Sequence, residues 1–396
     1  MTWSRVTFGS IYSPDYYRAN NLPVSVQNVT DPKLAYIGFN LVKGIGAARM
    51  RTLLDVFGDV QTAWHASAPD LRNAGLSQRI VDNLLQVRAE VDLNKAWERL
   101  EHQGVTVLTW DDPHYPRRLM EIEQPPPVLY VRGEIQDIDE WAVAIVGTRN
   151  PTAYGRQVAV EFASTLAHSG VTVVSGLARG IDAAAHQACL EAGGRTLAVL
   201  GSGVDMIYPP EHRQLAGKII SHGALISDYA PGTQPDAANF PPRNRIISGL
   251  VRAVVVVEAG EKSGALITAA FAADQGREVF AIPGNIYAPL SKGTNRLIQE
   301  GARPLLDCQE LLTILKLGPV PEYHAARTAL PVDATEARLL ELLGNEALHV
   351  DKINQRSKLP VEKISATLVM MELKGMVRQM GGMQYMAIRE TGGEYK

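Results

Sequence analysis

The sequence predicts a doubly wound, mostly parallel α/β sheet through its middle, flanked by smaller helical units. Three observations predict it. Seven short apolar runs alternate with helical patterns at 142–147, 171–175, 196–200, 224–228, 253–258, 278–282 and 303–306. The runs are continuous, not alternating, as in strands covered on both faces of a parallel sheet. The segments after them carry Gly, Ser, Asn and Arg, and ligands of such sheets bind at that carboxyl edge.

Bulk properties bound the rest. A chain of 396 residues exceeds one hydrophobic core, so several domains are expected. With 46% hydrophobic and 20% charged residues, disorder is excluded. The net charge of -3 gives no overall attraction for polyanions, so nucleic-acid binding would need a local basic patch. Cys189 and Cys308 read as small apolar residues in a reducing compartment. No apolar run suits a membrane span and the N-terminus lacks a signal-peptide pattern, so a cytoplasmic location is expected.

In chain order, residues 1–32 read as an N-terminal arm and 33–92 as a helical domain. Gly44-Ile45-Gly46 sits between two helical patterns and resembles a helix-hairpin-helix turn, with a weaker echo at Asn73–Ser77. Backbone N–H groups of such a turn contact a DNA phosphate, which makes Gly44 and Gly46 a candidate DNA contact. A packing turn between helices explains the same residues, and one degenerate repeat favours that explanation. Strand patterns at 105–109 and 128–131 open an extended sheet domain over 93–315.

Residues 316–332, with Gly318-Pro-Val-Pro321, form a linker. Over 333–390, helical patterns at 336–343, 350–357 and 361–374 precede a strand pair turned by Gly381-Gly382, the order of a winged-helix-like domain. Its third helix is poor in Arg and carries Glu362 and Glu372, so a protein contact is as well supported as DNA reading.

The edge loops decide the chemistry. Ala142–Val146 feeds Gly147-Thr148-Arg149, and Val171–Val174 feeds Ser175-Gly176-Leu177-Ala178-Arg179-Gly180. Two guanidinium groups beside glycine-opened backbone suit a phosphate-bearing ligand. A dinucleotide is excluded on two counts. The first loop lacks the second and third glycines of G-x-G-x-x-G, and the second strand ends without a ribose-binding carboxylate. No P-loop is present either.

Further along, Phe240-Pro-Pro-Arg243-Asn244-Arg245 opens a helix. Cations near a helix N-terminus oppose its dipole, so Arg243 and Arg245 imply an anionic partner or a nearby carboxylate, Glu258 or Asp182. Phe240 either stacks on a base or plugs the core. Ser263-Gly264 opens another helix, and with Gly147 these residues are candidate backbone contacts to phosphate. Over 141–310 there are 14 Lys and Arg against 14 Asp and Glu, yet Arg149, Arg179, Arg243 and Arg245 all fall at the predicted edge. A local basic pocket on a neutral domain suits single-stranded nucleic acid better than duplex. His168 and His186 lie in helical patterns and read as packed or solvated groups. No carboxylate or His cluster has metal spacing.

Six stretches carry a resemblance. They are 144–149, 175–186, Gly201-Ser-Gly-Val-Asp205 with Tyr208-Pro209, 240–249, Ser263-Gly-Ala-Leu-Ile-Thr268 and Ile282-Pro-Gly-Asn285. In this order they resemble the DprA/Smf family of bacterial DNA-processing proteins. The resemblance implies a Rossmann-like domain that binds single-stranded DNA, forms a homodimer and helps load the RecA recombinase in natural transformation and recombination. It implies no cofactor, metal or catalytic residue. By motif position Arg149, Arg179, Phe240, Arg243 and Arg245 would make the DNA pocket, with Ser175, Gly176 and Asn244 shaping it. Leu297, Ile298 and Leu305 are candidate dimer contacts. An alternative is an enzyme or sensor for a small nucleotide, similar to nucleotide phosphoribohydrolases, with Glu258 at the ligand edge.

Overall fold

A computed structural model describes residues 31–317, 334–343, 348–357, 359–373, 377–381 and 383–387. It forms two compact units, divided after Leu317. Most of the predicted arm and the linker lie outside the described residues.

The first unit begins with six helices: α1 (Pro32–Leu41), α2 (Ala47–Phe57), α3 (Val60–His65), α4 (Ala68–Asn73), α5 (Gln78–Glu90) and α6 (Leu93–His102). Asp31 caps α1 by accepting from the Lys33 N–H, and Pro32 occupies the first helical turn. Leu34, Tyr36, Ile37 and Phe39 are buried, with the Phe39 ring edge-on to Trp64 at 5.1 Å. This core continues into Val105, Val107, Val128 and Tyr130, so the helices and the sheet share apolar interior. Both Gly turns form here. Gly44 (φ 101) links α1 to α2, and Gly75 (φ 91) links α4 to α5. Ile80 lies beside Gly44 and Asn83 donates to the Lys43 carbonyl, so α5 braces the first turn.

The remaining elements are β1 (Val105–Thr109), α7 (Arg117–Met120), β2 (Val128–Gly133), β3 (Ala142–Val146), α8 (Ala153–His168), β4 (Thr172–Ser175), α9 (Ile181–Glu191), β5 (Thr196–Val199), α10 (Arg213–His222), β6 (Gly223–Ser227), α11 (Phe240–Gly249), β7 (Ala253–Val256), α12 (Gly264–Asp274), β8 (Glu278–Ala281), α13 (Lys292–Gln299), β9 (Arg303–Pro304) and α14 (Cys308–Ile314). They build one nine-stranded sheet, order β1-β2-β6-β5-β4-β3-β7-β8-β9. The seven strands from β3 onward pair in parallel. β1 and β2 extend the β6 side antiparallel, a continuation the apolar pattern alone did not reveal.

All five residues of β3 and all four of β4, β5 and β7 are buried, as continuous apolar runs require. The chain runs outward from β3 to β6, then returns to place β7 on the other side of β3. The order therefore reverses between β3 and β7, the place where such sheets open a crevice for ligand.

The second unit holds α15 (Ala334–Leu343), β10 (Leu348–His349), α16 (Val350–Ser357), α17 (Val361–Leu373), β11 (Val377–Gly381) and β12 (Gln384–Ala387). Three helices and an antiparallel sheet, order β10-β12-β11, enclose Leu339, Ile353, Ile364, Leu368 and Tyr385. This is a winged-helix arrangement. The side chains of Glu362 and Glu372, and Gly382, lie outside the described residues.

Candidate nucleic-acid interface

The two glycine-and-arginine loops lie against each other at the carboxyl edge of β3 and β4. Ile181 N–H donates to the Thr148 carbonyl at 3.2 Å. Gly180 (φ 80) has no room for a Cβ, which would strike the Thr148 carbonyl and the Arg149 backbone. Gly147 is equally confined, between Ile181 and the Glu258 carbonyl.

The backbone N–H groups of the second loop serve the protein itself. Asp182, one residue into α9, is buried and accepts from the N–H groups of Gly176 (3.1 Å) and Ala178 (3.3 Å). Burial pushes its carboxyl up, against the opposing pull of Arg243. Ser263 likewise spends its N–H on the Gly260 carbonyl while its Oγ caps α12 by accepting from Ala265. Gly264 is exposed, with open space around its Cα. Of the three candidate backbone contacts, Ser263 is thus already engaged, while Gly264 stands open.

The four arginines divide. Arg149 is exposed, and its Cζ lies 5.5 Å from the centre of the half-buried Phe240 ring. Among the described residues no carboxylate pairs with it. Arg179 is exposed and pairs with Glu211 at 2.6 Å.

Arg243 is buried beneath Phe240, its Cζ 6.0 Å from that ring. It donates to the Gly176 carbonyl (3.0 Å), the Val199 carbonyl and Asn244 Oδ1 (3.2 Å). It ties β4 and β5 to α11, and burial lowers its pKa to about 10. Asn244 passes the connection on, donating to the Gly264 carbonyl at 3.2 Å. Ser175 is buried and donates to the Ile145 carbonyl at 2.7 Å.

Arg245 is only 12% exposed and pairs with Asp228 at 2.8 Å, on the far side of α11 from Arg243. The carboxylate expected for one of these arginines was Glu258 or Asp182. Asp182 does sit by Arg243, whereas Arg245 uses Asp228, which follows β6.

In the sequence Tyr208 stands within the Gly201–Pro209 motif, and in the structure it is the neighbour of Phe240. Its ring centre lies 5.8 Å away at a 34° tilt, and the residue is 39% exposed. Two aromatic faces thus stand between Arg149 and Arg179. Sequence spacing hid this pair, because 32 positions separate the two rings.

Glu258 is buried and fully engaged. Its two oxygens accept from Thr152, Oε2 from the N–H (2.9 Å) and Oε1 from the hydroxyl (2.6 Å). It closes the start of α8, and Gly155 leaves it room. A carboxylate so held is a structural clamp, which removes the feature that favoured a phosphoribohydrolase-like reading.

His186, Cys189 and Cys308 are structural. His186 Nδ1 meets Thr196 Oγ1 at 2.7 Å, and burial lowers its pKa to about 3. Cys189 and Cys308 are buried free thiols whose pKa is pushed up to about 12. Leu305 is 1% exposed and so cannot meet a second copy, while Leu306 beside it is 79% exposed. Leu297 and Ile298 are half-buried. In the N-terminal turns, Gly46 is exposed and Gly44 accepts from Arg49 Nη1 at 2.6 Å. Among the described residues no helix is long and apolar enough to cross a membrane.

Fold and edge define a Rossmann-like protein with arginine and aromatic side chains at its switch-point edge. Comparison with known proteins agrees. The family described as DNA recombination-mediator protein A matches residues 106–316, and the DprA winged helix domain matches 324–383. Protein Smf of Synechocystis is 35% identical over 387 residues, covering 88% of this chain and 97% of that protein. The DNA processing protein DprA of Bacillus subtilis is 44% identical over 210 residues, covering 53% and 71%. The crystal structure of DNA processing protein A from Streptococcus pneumoniae superposes with a TM-score of 0.61 at 33% identity, covering 72% of this chain and 98% of that one. The chain belongs to the DprA/Smf family of DNA-processing proteins.

Proposed function

We propose that this protein binds single-stranded DNA along the carboxyl edge of its sheet and helps load the RecA recombinase onto it, acting as a homodimer through the Rossmann-like domain without catalysis of its own. The observation that carries this reading is the exposed Arg149 guanidinium, 5.5 Å from the half-buried Phe240 ring with Tyr208 alongside. Cation and aromatic faces in alternation suit phosphates and unstacked bases, and nothing there reads base edges in a groove. The description of the matching family as a recombination mediator supports the recombinase step.

Binding of a labelled oligo-dT to wild type and to Arg149→Ala, across a salt series, tests the DNA reading. Wild type is expected to bind with a marked salt slope and the variant to bind more weakly with a shallower one. Absence of binding, or equal salt-independent binding, overturns it. Pull-down of RecA by the wild-type complex on the same strand tests the loading step.

A further inference from the structure

Glu211 pairs with Arg179 at an exposed point of the predicted DNA path. It sits in the turn Pro210–His212, between two prolines and α10. His212 Nδ1 lies 2.9 Å from the Leu177 carbonyl, so this turn is fastened to the loop that carries Arg179. The carboxylate meets Arg179 Nε at 2.6 Å, and both side chains remain about half exposed. Tyr208, three residues earlier, lies against the Phe240 ring and within electrostatic reach of Arg179. Arg149, on the neighbouring loop, has no such partner among the described residues.

We propose that Glu211 is a displaceable latch on Arg179, a positioning residue that makes this half of the edge electrically neutral until a strand's phosphate takes the carboxylate's place. The proposal rests on the single-stranded DNA reading of the edge and adds to it an order of engagement. Arg149 and the aromatic pair meet the strand first. Arg179 joins only when a phosphate displaces Glu211. An exposed ion pair in water is weak and screened by salt, so it opens readily to a better-placed anion. The latch makes weak or isolated anions poor competitors at Arg179.

Salt dependence separates this from passive packing. Each cation that neutralises a phosphate releases a counterion, giving a slope of about -0.7 per phosphate for single strands. In wild type the displaced Glu211 carboxylate stays beside the phosphate and retains cations there, so engagement of Arg179 releases little net counterion. In Glu211→Gln no carboxylate remains, and the strand's own cations leave when Arg179 binds. We expect Glu211→Gln to bind oligo-dT several-fold tighter than wild type at about 50 mM salt, with a slope steeper by up to about 0.7 and the gap closing toward about 200 mM.

The test is fluorescence-anisotropy titration of oligo-dT with wild type, Glu211→Gln, Arg179→Ala and the double variant, each checked for folding by circular dichroism. The gain from Glu211→Gln should vanish on the Arg179→Ala background, since the two residues act as one unit. Unchanged or weakened binding by Glu211→Gln overturns the latch while leaving the DNA reading intact. A gain that persists without Arg179 also overturns it, showing general loss of negative charge. If wild type and all variants fail to bind, the DNA reading itself falls, and the latch with it.

Discussion

The guanidinium of Arg243 fills the space in front of Gly176. A Cβ on residue 176 would stand 2.7–2.9 Å from its Nη and Cζ atoms, and Arg243 donates back to the Gly176 carbonyl at 3.0 Å. Gly176 carries no left-handed backbone requirement, and the nearest atoms a side chain there would meet all belong to this guanidinium. Gly176→Ala should push Arg243 off the carbonyls of β4 and β5 and cost about 1–3 kcal/mol. Denaturant unfolding of the variant measures the loss, and DNA affinity should fall with it because Phe240 rests on the same guanidinium. A stable Gly176→Ala protein would mean that α11 can shift without cost.

Arg149 and Arg243 should behave oppositely although both belong to one motif set. Arg149 is exposed, so Arg149→Ala should change stability by less than about 0.5 kcal/mol while weakening oligo-dT binding and flattening its salt slope. Arg243→Ala removes the donor to two carbonyls at the ends of β4 and β5 and takes a cation away from the surroundings of buried Asp182. The lost hydrogen bonds alone should cost about 1–3 kcal/mol for each acceptor left unsatisfied. Parallel unfolding and binding curves for the two variants check the division. Equal effects of both substitutions on stability would refute it.

Phe240 and Tyr208 are expected to contribute through stacking. Phe240→Leu keeps an apolar plug over Arg243 but removes the flat face, and should lose about 1–3 kcal/mol of binding to oligo-dT. Because stacking moves no charge, the salt slope should remain that of wild type. A changed slope with unchanged low-salt affinity would mean the ring only supports Arg149.

Much of this was legible in the sequence, for identifiable reasons. Strands buried on both faces leave continuous apolar runs, so β3 to β7 could be read directly, whereas β9 is only the exposed pair Arg303–Pro304. The antiparallel pairing of β2 with β6 joins residues some 90 positions apart, and no local pattern encodes that partner. Within the site, the motif residues were found but not their directions. Arg243 and Arg245 sit two apart on α11, roughly 200° around a helix, so one face could never present both. That spacing was available before the structure and would have separated the buried clamp from the Asp228 partner. Glu211 and Asp228 were hidden differently. A carboxylate that neutralises a loop looks, in sequence, like any solvated acid.

The last prediction concerns pH and a fully buried residue, His186. Thr196 Oγ1 donates to the Val173 carbonyl, so it must accept from His186, which places the proton on Nδ1 and leaves a neutral ring. Nε2 is buried with no partner, and Arg243 and His212 both oppose a positive charge there. The folded pKa of about 3 lies below the ordinary value of 6.5, so between these limits only the unfolded chain takes up the proton. Stability is therefore full above about pH 6.5 and falls as pH drops toward 3. Between pH 7.5 and 5 this one group should cost about 2 kcal/mol, at roughly 1.4 kcal/mol per pH unit below 6.5. His186→Asn keeps a donor toward Thr196 without a titrating ring. It should start less stable at pH 7.5 but lose about 2 kcal/mol less than wild type on acidification. Urea unfolding of the sheet-bearing unit at the two pH values measures the difference, and parallel losses in both proteins would assign the acid sensitivity to other groups.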